Sequence, residues 1–142
     1  MNQYEEFKQR YQKEINALPL HFAFGDEQFK QELHKIGLDP DKKEDMEKLV
    51  GIPAGGFMLK EDYPKLRDWS KRQSEEYAEK SKDMSFMYDA FIYEMRNHEY
   101  SYTYDDTDFL EALDITQKDL ALNKELKETL DRAKRDYLAK CA

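Results

Sequence analysis

Apolar residues recur every three or four positions over long stretches of this chain and every second position over short ones. Tyr4, Phe7, Tyr11, Ile15 and Leu18 stand at helical spacing among Glu, Lys, Gln and Arg, which predicts an amphipathic helix over 2–18 that Pro19 stops. His21-Phe22-Ala23-Phe24 then alternates as a short strand. Gly25-Asp26 turns it into a second helix, with Phe29, Leu33 and Ile36 at helical intervals and Gly37 as its C-cap. Asp39-Pro40 is a start signal, because Asp caps free amides and Pro fits the first helical position. The helix it predicts carries Met46, Leu49 and Val50 and ends at Gly51. Pro53-Ala54-Gly55-Gly56 reads as a loop, Phe57-Met58-Leu59 as a second strand, and a long helix begins around Asp62 and Pro64 with Tyr63, Leu66, Trp69 and Tyr77.

From Asp83 the pattern is denser. Met84, Met87, Tyr88, Phe91, Ile92 and Met95 form one stripe with Phe86, Ala90 and Tyr93 beside it, which predicts a central helix with neighbours on two sides and methionines as core filler. It ends near Arg96-Asn97-His98. Tyr100, Tyr102 and Tyr104 alternate as a third strand, and Thr116 with Asp119 forms a capping box for a last helix striped by Leu122, Leu126, Leu130, Ala133 and Tyr137. The pattern predicts an α+β fold, mainly α, with five to seven helices packed on a small antiparallel sheet of about three short strands, 21–24, 57–59 and 101–104.

Shifting the chain by 80 residues superposes Phe22, Phe24, Asp26, Phe29 and Leu33 on Tyr102, Tyr104, Asp106, Phe109 and Leu113. Each copy reads as strand, turn and helix, with alternate aromatics and the helical Phe and Leu facing one core and Asp as the cap. The expectation is a single domain over 1–142 containing a pseudo-repeat of such units at 21–37 and 101–115. A chain of 142 residues is long enough for a real core.

Composition sharpens this picture. Charged residues reach 38% and apolar residues only 39%, a balance that leans toward disorder until the eight Phe, ten Tyr and one Trp are counted. The single cysteine, Cys141, permits neither an intrachain disulfide nor a cysteine zinc site. No signal-peptide pattern opens the chain and no apolar run approaches the ~18 residues that span a bilayer, which predicts a cytoplasmic protein without a membrane partner. The net charge is −8, and six acids with no base fall between Glu99 and Ile115, so the charge is a local patch.

Few constellations carry chemistry. Gly51-Ile52-Pro53-Ala54-Gly55-Gly56 has the glycine spacing of a phosphate loop, but Phe57 stands where Lys belongs and no Ser or Thr follows to hold magnesium. Glu94 and His98 lie four apart on one helical face, with Glu99, Asp106 and Asp108 nearby, and are the candidate ligands for a metal-dependent hydrolase as the alternative function. The competing reading makes His98 and Asn97 helix-terminal residues and the two aspartates N-terminal caps. His21 and His34 have no partner at ligand spacing, and no nucleophile elbow exists. The basic last helix is interspersed with acids, and acids flank the most aromatic segment, which disfavours direct nucleic-acid binding.

The patch over 99–114 remains. With Tyr102 and Tyr104 expected inward, Tyr100 becomes a surface anchor among Glu99, Asp105, Asp106, Asp108 and Glu111, the candidate contacts for a protein partner with a basic surface. No cofactor is implied. The segments His21-Phe22-Ala23-Phe24, Gly55-Gly56-Phe57 and Arg96-Asn97-His98-Glu99-Tyr100 resemble a family of small acidic uncharacterised proteins from Gram-positive bacteria, their phages and mobile elements, over about residues 20–120. That resemblance implies a phage or mobile-element accessory protein and brings no activity of its own. By analogy the expected function is non-enzymatic: binding or inhibiting a host protein, in defence or at a nucleic-acid-binding surface.

Overall fold

A computed structural model describes all 142 residues, which form nine helices and a three-stranded antiparallel sheet, an α+β fold that is mainly α. The residues gather into two compact units, Met1–Arg10 with Ser74–Ala142, and Tyr11–Gln73. The first turns of α1 (Gln3–Asn16) and the last of α4 (Tyr63–Lys80) belong to the larger unit.

The smaller unit is built on the sheet, with strands β1 (His21–Phe22), β2 (Leu49–Ile52) and β3 (Gly56–Leu59) in the order β1-β3-β2. The third strand is therefore 49–52, where a helix was expected, and not 101–104. Leu49, Val50 and Ile52 favour the pleat, and the helix after Asp39-Pro40 shrinks to the single turn α3 (Lys43–Met46). A tight connection joins β2 to β3, with Ala54 and Gly55 at φ 64° and 76°, and Ile52 pairs with Gly56. The glycine-rich run is thus a hairpin turn. A Cβ on Gly56 would come within 2.5 Å of Ile52 Cγ1 and 2.7 Å of Phe22 Cε1, so the close approach of these side chains requires glycine here.

Helix α2 (Asp26–Lys35) ends in a Schellman motif at Gly37, with Leu38 N–H donating to Leu33 O at 2.9 Å and Gly37 N–H to His34 O at 3.1 Å. Leu33 and Met58 are completely buried, and Phe57 meets His21 and Phe29 at ring distances of 5.4 and 5.1 Å. The strand expected over 21–24 stops at Phe22, and its alternation is reversed: His21 and Ala23 are half-buried while Phe22 and Phe24 are exposed, Phe24 to 80%. Asp26 makes no cap; Gln28 Oε1 instead accepts from Phe24 N–H at 2.8 Å.

In the larger unit α5 (Met84–Asn97) is the central helix. Asp83 caps it by accepting from Ser85 N–H at 2.8 Å, and Phe86, Met87, Ala90, Phe91, Glu94 and Met95 are buried. Phe86 receives the rings of Tyr4, Phe7 and Tyr77 at 5.9, 5.9 and 6.3 Å in edge-on geometry. Against α5 packs α9 (Lys124–Cys141), capped by Asn123 and burying Leu126, Leu130 and Ala133. Between them run α6 (Tyr100–Thr103), α7 (Thr107–Ala112) and α8 (Gln117–Leu122), the last started by the expected capping box of Thr116 and Asp119. No helix is long and apolar enough to cross a membrane.

Candidate interaction surface

The segment read as a tyrosine strand is a helical turn. Glu99 and Tyr104 bracket α6 at φ 54° and 52°, a left-handed conformation that non-glycine residues adopt at a cost of about 1–2 kcal/mol each. The pseudo-repeat consequently fails as structure: its first copy has a strand and a helix, its second a turn and a helix.

Turning the segment into a helix inverts which tyrosines face the core. Tyr100 is buried, with Tyr104, Phe109 and Tyr137 at ring distances of 5.9, 5.5 and 6.4 Å and the Lys134 ammonium 5.7 Å over its face. Tyr102 and Tyr104 are 84% and 66% exposed. The expected anchor is therefore core, and the two expected core tyrosines are surface.

The acids also separate. Asp106 is half-buried and receives the Lys134 ammonium at 2.6 Å, so its charge is neutralised inside the fold. Asp105 accepts from Thr107 N–H at 2.9 Å and from the Thr107 hydroxyl at 2.7 Å; these bonds hold its carboxyl below the usual range and satisfy the first free amide of α7, where the expected cap, Asp106, makes no side-chain capping bond. Glu99, Asp105, Asp108 and Glu111 are exposed and enter no salt bridge. Tyr102, Tyr104 and these four acids thus lie exposed within thirteen consecutive residues, 99–111, and of the four only Asp105 is engaged by a hydrogen bond.

Glu94 and His98 do meet, with Glu94 Oε2 3.2 Å from His98 Nε2. Glu94 is only 1% exposed, and its Oε1 takes the Tyr4 hydroxyl at 3.3 Å and the Lys8 ammonium at 3.4 Å. Burial first and the Glu94 charge second push the Tyr4 phenol far above its ordinary range. No third ligand joins the pair, and no group of three or more His, Cys, Asp or Glu could hold a metal ion. Sequence reasoning paired Glu94 with His98 but missed that the carboxylate is buried and bonded to Tyr4 and Lys8. The signal was present, since Glu94 lies four residues after Ala90 and seven after Met87 on the buried face of α5.

The family model for a family of unknown function (DUF7659) matches residues 3–136. The chain belongs to that family. No curated protein and no solved structure matches it. For this DUF7659 member the functional reading must therefore come from its own surface, and the match spans nearly all of the elements just described.

Proposed function

We propose that this DUF7659 protein is a non-enzymatic interaction protein that binds a basic protein surface through Tyr102 and Tyr104 and the carboxylates of Glu99, Asp105, Asp108 and Glu111. The observation that carries the reading is the exposure of Tyr102 and Tyr104 in a segment, 99–111, whose acids other than Asp106 enter no salt bridge. Tyrosine supplies rigid contact area, and unpaired carboxylates supply steering and register. The setting that suits it is an accessory protein of a Gram-positive phage or mobile element, acting in the cytoplasm on a host defence or nucleic-acid-binding protein. Such targets carry the positive fields that this patch complements.

Affinity capture from the native host, run side by side with a Tyr102→Ala/Tyr104→Ala variant and an Asp105→Asn/Asp108→Asn variant, tests the reading. The expected result is a partner held by the wild type and lost from both variants, with affinity falling about tenfold or more between roughly 50 and 200 mM salt. A partner retained equally by all three proteins, or indifferent to salt, overturns it.

A further inference from the structure

A groove opens on the larger unit beside α7 and α8. One hollow of about 310 Å³ is lined by Met87, Leu113 and Leu126 and edged by Leu122, which is 76% exposed. A second of about 330 Å³ lies next to it and shares Asp114 and Ile115 with the first. Neither hollow is lined by a lysine, arginine or histidine, while Glu111, Asp114 and Asp119 stand on them.

These acids are not equivalent. Asp119 is engaged in the capping box with Thr116, whereas Glu111 and Asp114 are exposed and enter no salt bridge. Asp114 holds the left-handed position of a Schellman motif at φ 56°, closed by Ile115 N–H on Leu110 O at 2.9 Å and Asp114 N–H on Glu111 O at 3.0 Å. The motif fixes Asp114 and Ile115 side by side on the groove, charge next to apolar surface. Helix α7 joins this groove to the tyrosine turn, since Glu111 serves both.

We infer that the groove seats a leucine-sized apolar side chain of the basic partner, placed against Leu122 and Ile115, with lysine or arginine beside it reaching Glu111 and Asp114. The inference rests on the proposed function and names the partner's contact segment: amphipathic and basic, not merely basic. A purely charged segment would leave Leu122 and the hollow uncovered, and an apolar segment without bases would leave two carboxylates desolvated without partners.

The test uses the full chain and two synthetic peptides of equal length and charge, one alternating leucine and lysine as an amphipathic helix, the other with glycine in place of leucine. In an amide-shift titration the leucine peptide is expected to move Asp114, Ile115, Leu122 and Asn123 and to bind about tenfold tighter than the glycine peptide. Leu122→Ser, a change at an exposed position, and Asp114→Asn, which keeps the left-handed backbone accessible, are each expected to weaken the leucine peptide severalfold. Equal affinities for the two peptides, or shifts confined to Tyr102 and Tyr104, overturn the groove while leaving the proposed function standing. Absence of binding by either peptide overturns both.

Discussion

The ammonium of Lys134 lies 2.6 Å from Oδ2 of Asp106, tying the start of α7 to the side of α9. The same nitrogen covers the Tyr100 ring, so one lysine satisfies a half-buried acid and lids a core aromatic. Replacing Asp106 by Asn is expected to cost about 1–2 kcal/mol, because a charge-assisted bond between partly buried groups is exchanged for a weaker one. Asp108→Asn, at an exposed position without a salt bridge, is expected to change stability by less than about 0.5 kcal/mol. Urea denaturation of the two variants distinguishes the acid that holds the fold from the acid free to meet a partner.

Glu94 defines a second prediction. Its carboxylate is closed off from water and shared by Tyr4, Lys8 and His98. Glu94→Ala strands these groups and opens a cavity, and a loss of about 3–4 kcal/mol is expected. Tyr4→Phe removes a single bond from the same network and should cost about 1 kcal/mol. Equal losses in the two variants would mean that the carboxylate's charge contributes little.

Two backbone positions resist alanine for different reasons. Gly56→Ala forces a methyl onto Ile52 and Phe22 and should destabilise by about 1–3 kcal/mol, readable from a lowered thermal midpoint. At Asp114, Ala is expected to cost about 1 kcal/mol through left-handed strain, while Asn should be close to neutral.

Alkaline pH provides the fourth. The Tyr77 hydroxyl donates to Leu113 O at 2.7 Å, and burial first, then the charges of Asp114 and Glu94, push its phenol from 10.0 up to about 12. Tyr4 moves in the same direction, again with burial as the largest cause. Folding therefore favours the neutral phenols. The Tyr77 contribution is complete below the unfolded value near 10 and is lost as pH rises from there toward 12, while that of Tyr4 declines over a window that extends further. A denaturation midpoint that falls between pH about 10 and 12 in the wild type, and falls less in Tyr77→Phe, is the expected outcome.

The stripes that build the larger unit were legible because helical periodicity in α1, α5 and α9 runs for at least three turns without a competing period. Caps at Gly37 and Thr116 were legible because their side-chain and backbone requirements are local. The tyrosine segment was misread for a specific reason: residues spaced by two also contain a pair spaced by four. Tyr100 and Tyr104 use that second spacing to bring their rings to 5.9 Å on one side of a turn. At 49–52 the apolar residues continued a helical pattern from Met46, and only pairing with β3 makes them a strand. The acidic patch was visible as charge, but which acids are neutralised depends on Lys134, twenty-eight residues from Asp106 and beyond any local pattern.

The two left-handed residues that enclose α6 also set the terms on which any partner is met. Because Glu99 and Tyr104 turn the chain into and out of α6 and Tyr100 anchors that turn in the core, Tyr102 and Tyr104 project from a helical turn already formed in the unbound chain. Docking of the proposed partner would then freeze side-chain rotamers, at about 0.5–1.5 kcal/mol each, without the further 1–2 kcal/mol per residue, roughly, that ordering a loop would require. The strain installed during folding would return as a smaller entropic loss at the proposed association.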